Sequence, residues 1–246
     1  MKTLTIRLTS PLQSYGNEAT FARRASGDYP SKSAMIGFVA AALGYQRDDS
    51  RIVKLNELRF AVRVDQRGKT LTDFQTVEWK KNTRKITYRD YIQDAVFVVA
   101  FGSEDVQLID QIHEALKRPK FPLFLGRRSN VPAGVLQIQA FEDTDPVTAL
   151  SDLDWQAAPW YQRKFSRNAT SEFKDHLVLI ADADLLPNER SFVVKDRVIS
   201  FDQRNRQHGY RAVASEYVDH IKLNQKYIQR NHQEKSETVH DAFGAL

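Results

Sequence analysis

The sequence of 246 residues contains no cysteine. This absence excludes disulfide bonds, thiol nucleophiles and cysteine-based zinc sites. No apolar run approaches the roughly 20 residues that a membrane-spanning helix needs. Arg7 interrupts the apolar residues of the N-terminal stretch, which therefore predicts a strand and not a signal peptide. We expect a cytoplasmic protein that makes no contact with a membrane.

Sequence motifs for catalysis and for metal or cofactor binding are also missing. None of the six histidines belongs to an HExxH or another compact metal-binding spacing. There is no GxxxxGK(S/T) phosphate loop and no GxSxG nucleophile elbow. We therefore expect no metal and no cofactor. A metal-independent ribonuclease needs a general base, a general acid and a cation. Tyr45, Lys117 and His208 are of suitable types, but nothing in the sequence places them together.

The positive charge of the chain is concentrated in two stretches. Lysine and arginine total 36 against 31 aspartate and glutamate residues, which gives a net charge of +5 and a pI of about 9.3. Residues 80–89 contain five cations and no acid, and so do residues 117–128. Clusters of this kind are the electrostatic footprint of a nucleic-acid-binding protein.

Residues 73–94 predict a β-hairpin. Aromatic and β-branched residues recur at every second position on both sides of the segment KKNTRK, and this alternation is typical of strands. Because a tip so rich in cations is costly to bury, we expect the hairpin, about residues 71–94, to project as a thumb. Its candidate RNA-binding residues are Lys80, Lys81, Arg84, Lys85 and Arg89. The alternative is a solvated loop whose lysines protect a sheet edge.

The predicted elements of residues 1–144 follow the order β-α-β-β-α-β. Strands are predicted at residues 3–8, 58–64, 95–101 and 135–140, and helices at residues 33–44 and 106–118. This α+β pattern is that of the ferredoxin-like fold, which RNA-recognition modules of the RRM type also use. The third strand is too apolar to be an open platform for stacked bases. We therefore expect loops and the thumb, more than the sheet face, to hold RNA.

Residues 145–246 predict a small β-rich C-terminal region that packs on the first. Short strands are predicted at residues 177–180 and 191–194, whereas residues 154–166 are aromatic and basic without a regular pattern. From Ser215 onward apolar residues recur at roughly helical spacing, and the end of the chain predicts a mobile tail.

The loop before the fourth predicted strand carries a second group of candidate RNA-binding residues in the segment LGRRS. Gly126 is expected to let the backbone approach a ligand, and Arg127 and Arg128 offer guanidinium groups that bind phosphates bidentately or stack on bases. Ser129 adds a hydroxyl group. The alternative is a surface turn with solvated arginines.

Four further candidates are expected at the same end of the sheet: Arg23, Arg24, Lys32 and Ser33. Lys32 and Ser33 lie at the N-terminus of the first predicted helix, where free backbone N–H groups attract anions. The alternative for these two residues is ordinary helix capping.

Seven segments in this order resemble the CasD family. They are SPLQSYG (10–16), YPSKSAMIGFVAAALG (29–44), QRDD (46–49), DFQTV (73–77), YRDYIQDAVF (88–97), LGRRS (125–129) and DRVISFDQRNRQHGYRAV (196–213). The resemblance spans most of residues 1–213. Members of this family cap the 5′ handle of the guide crRNA in Cascade, the type I-E CRISPR surveillance complex of antiviral defence.

The resemblance implies a non-catalytic RNA-binding subunit with a ferredoxin-like body and a thumb that folds over the guide. It implies contacts with the Cascade backbone subunit and with the large subunit that reads the PAM, so that target DNA is engaged indirectly. In related type I-C systems the equivalent subunit is an endoribonuclease that uses Tyr, Lys and His. Here Arg118, and not His, follows Lys117. The alternatives are a metal-independent endoribonuclease that processes CRISPR repeat RNA and a general RNA-recognition protein outside CRISPR.

Overall fold

The computed structural model describes residues 1–16, 22–168 and 177–218. Within them the chain is a mixed α+β structure made mostly of antiparallel strands. The strands are β1 (Lys2–Thr9), β2 (Leu12–Gln13), β3 (Arg23–Arg24), β4 (Arg59–Gln66), β5 (Lys69–Lys80), β6 (Thr83–Gln93), β7 (Val96–Ser103), β8 (Gln137–Phe141), β9 (Leu177–Asp182), β10 (Phe192–Ser200) and β11 (Gln207–Val218). The helices are α1 (Lys32–Leu43), α2 (Arg51–Lys54), α3 (Val106–Lys117), α4 (Pro146–Asp152) and α5 (Pro159–Asn168), with 3-10 turns at Leu55–Glu57 and Ala183–Leu185.

The main sheet has seven strands in the order β10-β11-β9-β4-β7-β1-β8, and every neighbouring pair is antiparallel. Strand β7 is buried along nearly its whole length, as its continuous apolar run predicted. The predicted strands at residues 3–8, 58–64, 95–101 and 135–140 correspond to β1, β4, β7 and β8, and both predicted helices are present as α1 and α3.

Helices α1 and α3 cover one face of this sheet. Ile36 and Val39 of α1 and Ile109 of α3 pack with Phe97 and Phe101 of the central strand in one buried cluster. The Ser31 side chain caps α1 by accepting the Ala34 N–H, and Gly44 ends the helix in the left-handed conformation at φ 82°. The opposite face of the sheet packs against α4, where Leu150 meets small residues such as Ala61 and Ala100.

A buried ion pair within strand β4 is hydrogen-bonded to the end of α4 and to the segment that follows it. The guanidinium of Arg63 binds the Asp65 carboxylate through Nε and Nη2 at 2.7 and 2.8 Å, and also donates to the carbonyl groups of Leu150, Leu153 and Asp154. Both side chains are almost completely shielded from solvent, at 1% and 0% exposure. Because each charge is paired and hydrogen-bonded, the pair fixes the course of this segment over the sheet.

The predicted β-hairpin is present and consists of β5 and β6. The strands pair from Lys69↔Gln93 to Lys80↔Thr83, and the turn between them places Asn82 at a positive φ of 62°. At its base β6 also pairs with β2 and, in parallel, with β3. Toward the tip both faces of the hairpin are exposed, including Phe74 at 66% and Trp79 at 65%.

The C-terminal strands do not form a sheet of their own. Strand β9 pairs with β4, and β11 and β10 follow, so the main sheet continues across the predicted boundary near Asp145. Most of the segment 154–166, predicted to be irregular, lies in helix α5, which begins at Pro159, a residue suited to the first helical turn. Ser215–Val218, predicted to begin a helix, ends strand β11. The rest of that predicted helix and the predicted tail lie outside the described residues.

None of the helices in the described ranges combines the length and the apolar character that crossing a membrane requires.

Candidate nucleic-acid interface

Strand β6 brings four of the predicted arginines together at the base of the thumb. Arg23 and Arg24 of β3 lie beside Tyr88 and Arg89 of β6 in a parallel pairing. Since successive strand side chains point to opposite faces, the arginines are divided between two faces of the hairpin. We call these the Asp90 face and the Tyr91 face, after the buried β6 residue at the centre of each.

On the Asp90 face, Arg23 is held by a bidentate ion pair. Its Nε donates to Oδ2 of Asp90 at 3.1 Å and its Nη2 donates to Oδ1 at 3.3 Å. The Thr72 hydroxyl, from the opposite strand, donates to Oδ1 at 2.8 Å. The Arg23 side chain is nevertheless 61% exposed, whereas that of Asp90 is 9% exposed. The hydrogen bonds from Arg23 and Thr72 lower the pKa of Asp90 below its ordinary value, so the carboxylate is ionised at neutral pH.

The same face carries exposed apolar side chains toward the tip. Phe74 and Tyr88 are directly opposite each other in the register, and Ile86 lies two residues nearer the tip on β6. They are 66%, 46% and 48% exposed, respectively. An exposed aromatic pair next to an arginine suits the stacking of unpaired bases.

On the Tyr91 face, Arg127 packs against the thumb. Its guanidinium carbon lies 4.3 Å from the centre of the Tyr91 ring, within the range of a cation–π contact. Its Nη2 donates to the carbonyl groups of Arg24 and Asp90 at 3.1 and 3.3 Å. Among the described residues, Nη1 of Arg127 and Nε of Arg89 are buried donors without a hydrogen-bond partner.

The loop that carries Arg127 is pressed against the N-terminal segment. Ser14 N–H donates to the Leu125 carbonyl at 3.2 Å, and the Ser14 hydroxyl donates to the Asp90 carbonyl at 3.1 Å. Gly126 has a φ of +90°, and a Cβ atom there would lie 1.5 Å from the Ser14 carbonyl oxygen. The close approach that Gly126 permits is therefore to the chain itself, and not to a ligand as predicted. Arg128 and Ser129 are exposed on this loop, and the Ser129 hydroxyl contacts Asn130 Oδ1 at 3.1 Å.

The cations of the thumb tip are exposed and form a separate group: Lys80, Lys81, Arg84 and Lys85. One acid, Glu78, accepts the Asn82 N–H at 3.0 Å and lies 3.7 Å from Arg84. At about 3.3 Å per strand residue, the tip lies on the order of 20 Å from Asp90 along β6. The structure therefore places the tip and the arginine cluster at opposite ends of one hairpin.

Lys32 and Ser33 do not join the cluster. Lys32 is 5% exposed, its Nζ donates to Asp182 at 2.9 Å, and its backbone N–H donates to Asp196 at 2.8 Å. Arg211 binds both carboxylates. Burial lowers the pKa of Lys32, against the opposing effect of Asp182. The anion at the N-terminus of α1 is thus supplied by the chain, and Ser33 shares a hydroxyl contact with Ser31 at 3.3 Å.

The residues considered for a ribonuclease lie in three different parts of the structure. Tyr45 follows α1 and packs under Arg51, whose guanidinium carbon is 4.1 Å from the ring centre. Lys117 ends α3 and binds Glu114 at 2.8 Å. His208 lies in β11 against Phe201, and burial lowers its pKa. In the described part of the chain, no hydrogen bond or ring contact joins any two of the three.

Three residues of the site were missed from the sequence: Thr72, Asp90 and Tyr91. Counting outward from a turn at Lys81 and Asn82 places Asp73, and not Thr72, opposite Asp90. A register shift between Glu78 and Lys80 brings Thr72 opposite Asp90, and the local pattern does not predict that shift. An acid inside a cationic segment is not an obvious part of a site for a polyanion, and the pairing with β3 cannot be read from the local pattern.

Comparisons with known proteins agree with each other. A family described as CRISPR-associated protein (Cas_Cas5) matches residues 3–214. The CRISPR system Cascade subunit CasD of Escherichia coli (strain K12) is 32% identical over 167 residues, which cover 60% of this chain and 75% of that protein.

Two solved structures have the same fold. A chain of a CRISPR RNA-guided surveillance complex superposes with a TM-score of 0.72 at 26% identity, covering 94% of this chain and 99% of that one. A crystal structure of a Cas protein superposes with a TM-score of 0.64 at 31% identity, covering 88% and 95%.

Proposed function

The chain belongs to the Cas5 family of CRISPR-associated proteins, and from this premise we propose that it is a non-catalytic Cascade subunit that binds and caps the 5′ handle of the guide crRNA. The observation that carries the proposal is the convergence of Arg23, Arg24, Arg89 and Arg127 at the base of an exposed hairpin with a cationic tip. Partly exposed arginines fixed by the surrounding backbone suit the phosphates of a single strand.

In this proposal the thumb and the loop at residues 125–129, which we call the arginine loop, contact different parts of the RNA. The arginine cluster and Arg128 hold handle phosphates at the base, and the exposed pair Phe74 and Tyr88 offers stacking surfaces along the Asp90 face. The tip cations, Lys80, Lys81, Arg84 and Lys85, engage the guide about 20 Å further along, a span of several nucleotides. Lys32 is not part of the proposed interface, because its ammonium group is buried against Asp182.

The body that supports this interface is proposed to be a ferredoxin-like unit formed by residues 1–144. The strand order β8-β1-β7-β4, with α1 and α3 as the two crossover elements, supports this assignment. Strands β9 to β11 then extend that sheet on the β4 side. The proposed partners are the Cascade backbone subunit and the large PAM-reading subunit in the cytoplasm, with target DNA engaged indirectly.

Absence of ribonuclease activity is part of the proposal. A general base and a general acid must both reach the reacting phosphate, whereas Tyr45, Lys117 and His208 lie in different parts of the structure and each packs against other side chains. Phosphate contacts from arginines position RNA without supplying the proton transfers that cleavage needs.

The proposal is tested by the salt dependence of RNA binding. Each phosphate that a cation neutralises on single-stranded RNA adds about −0.7 to the slope of log affinity against log salt. Arg127→Ala with Arg128→Ala should weaken binding of a fluorescein-labelled RNA from the CRISPR repeat. It should also flatten the slope by about 0.7 for each phosphate that is no longer neutralised. Fluorescence anisotropy over a salt series gives both quantities.

The matched control is Arg190→Ala, which removes an exposed arginine from the loop before the edge strand β10. It should leave both affinity and slope unchanged. If the double variant binds with the parent's affinity and slope, the arginine loop is not part of the interface.

A further inference from the structure

Asp90 is an acid that contacts two of the four arginines at the base of the thumb, Arg23 and Arg127. A carboxylate next to a binding site for a polyanion repels the ligand and neutralises part of the local positive charge. Asp90 is nevertheless bound into the cluster through both its side chain and its backbone. Its carboxylate accepts two hydrogen bonds from Arg23 and one from Thr72, and its backbone carbonyl accepts from Ser14 and Arg127.

The geometry of the pair fixes the direction of the Arg23 guanidinium. The Nε–Nη2 edge of Arg23 is bound to both carboxylate oxygens, and Thr72 holds the carboxylate from the neighbouring strand. The carboxylate is buried, while 61% of the Arg23 side chain faces solvent. An exposed arginine without such an anchor samples many rotamers and loses that freedom when it binds a ligand. In this chain the contact with Asp90 orders the Arg23 side chain before a ligand binds.

We infer that Asp90 is a positioning residue of the interface, which orients Arg23 for a phosphate and thereby strengthens RNA binding despite its negative charge. The inference rests on the proposed function. If Asp90 acted only through its charge, neutralising it would strengthen RNA binding. The inference predicts the opposite: neutralising Asp90 should weaken the binding of RNA.

The test is a double-mutant cycle in the full-length chain with Asp90→Asn, Arg23→Ala and the two combined. The probe is the labelled single-stranded repeat RNA, and affinity is measured by anisotropy. Asp90→Asn keeps the shape of the side chain but places an amide against Arg23. If Asp90 acts through Arg23, the Asp90→Asn change should weaken binding about tenfold in the parent, which corresponds to about 1.4 kcal/mol. It should have no weakening effect once Arg23 is alanine.

The control is Asp94→Asn, which removes an equal charge from an exposed residue at the base of the same hairpin. Asp94 has a positive φ of 57°, a conformation that asparagine also tolerates. Asp94→Asn should bind RNA as tightly as the parent or more tightly, because removal of an acid without a positioning role lowers repulsion only.

Two results would overturn the inference while the proposed function survives. Tighter or unchanged binding by Asp90→Asn would mean that Asp90 acts only through its charge. Equal weakening in the parent and in the Arg23→Ala background, with a lower melting temperature in both, would mean that Asp90 only maintains the fold. Failure of the parent chain to bind RNA would instead overturn the proposed function and, with it, the inference.

Discussion

At the scale of single residues, Asp90 is the centre from which the candidate interface is built. Arg23 on one side and Arg127 on the other contact the same residue, one through its carboxylate and one through its carbonyl oxygen. The hydrogen bond from Arg23, then that from Thr72, lowers the pKa of Asp90 below its ordinary value of 3.8, against the opposing effect of burial.

The lowered pKa predicts how Asp90 affects stability with pH. Arg23 and Thr72 contact this carboxylate, and the nearby charge of Arg127 also lowers its pKa. Because the unfolded chain binds the proton more readily, the stabilisation is present above the unfolded pKa and is lost as pH falls through the folded one. Asp90→Asn should therefore lower the melting temperature at about pH 7, and its difference from the parent should shrink toward about pH 3.

Scanning calorimetry of parent, Asp90→Asn and Asp94→Asn across this range measures the effect. Asp94→Asn should remain close to the parent throughout. A gap between parent and Asp90→Asn that keeps its size at acid pH would contradict the ionised pair.

Gly126 provides a second residue-scale prediction. A Cβ atom at this position would lie 1.5 Å from the Ser14 carbonyl oxygen, and the φ of +90° is unfavourable for any other residue. Gly126→Ala should therefore cost about 2 kcal/mol or more in the free energy of unfolding. Displacement of the loop should also move Arg127 and weaken RNA binding. Urea denaturation provides the first quantity and anisotropy the second.

Gly134→Ala is the matched control, since Gly134 has a φ of +74° but no atom within 4 Å of the added Cβ. It should cost only the backbone strain, about 1 kcal/mol. Equal losses of stability for the two variants would show that the contact with Ser14 does not hold the loop.

From the sequence, it was easier to predict that arginines form the candidate interface than to predict which cations lie together in the fold. Arg23, Arg24 and Arg127 were expected together and do lie together. Lys32 was expected with them because it begins a helix, but its partner Asp182 is 150 residues away in the chain. A short-range pattern cannot reveal that a distant carboxylate takes the place of the expected anion.

At the scale of secondary structure, the thumb is the element on which function is proposed to depend. Its tip makes contacts within the hairpin, such as the bonds between Glu78, Asn82 and Arg84. We expect replacement of Lys80, Lys81, Arg84 and Lys85 by serine to change the melting temperature by no more than about 2 °C, because exposed charges contribute little to stability. The yield of guide RNA that co-purifies with the chain and its partner subunits should fall.

A four-cation control separates this effect from a general loss of positive charge. Arg47, Lys54, Arg190 and Arg204 are exposed residues outside the hairpin. Their replacement by serine removes the same net charge and should leave the co-purified RNA unchanged. Normal RNA yield with a large drop in melting temperature for the tip variant would mean that the tip packs on the body.

Helices and strands whose apolar residues recur regularly could be predicted from the sequence. Strands with a charged residue at a position that faces the core could not. The alternation in β5 and β6 predicted the hairpin, and the apolar run predicted β7. Strand β11 was not predicted, because its inward-facing residue Arg211 is charged. Asp182 and Asp196 neutralise that charge in the folded chain. Irregular pairing with β10 also interrupts its alternation.

At the scale of the whole molecule, one sheet links the proposed RNA-binding body to the C-terminal strands. The pairing of Ala61 with Ala181 joins segments 120 residues apart. Such non-local pairing leaves no mark in a local pattern, which is why the sequence predicted a small β-rich region that packs on the first and did not predict strands that continue its sheet. The sheet therefore ends in β8 on one side and in β10 on the other.

The most direct test of the central claim is to ask whether the chain binds guide RNA without cutting it. Labelled repeat RNA is incubated with an equimolar amount of the parent chain, with and without a chelator, and analysed on native and denaturing gels beside Tyr45→Phe and His208→Ala. Acid–base groups contribute typically 10²- to 10⁴-fold in rate, so arginines alone should give no cleavage within minutes. The account predicts RNA that is shifted on the native gel and intact on the denaturing gel for all three proteins. Specific cleavage by the parent that either variant abolishes would contradict it and establish a ribonuclease.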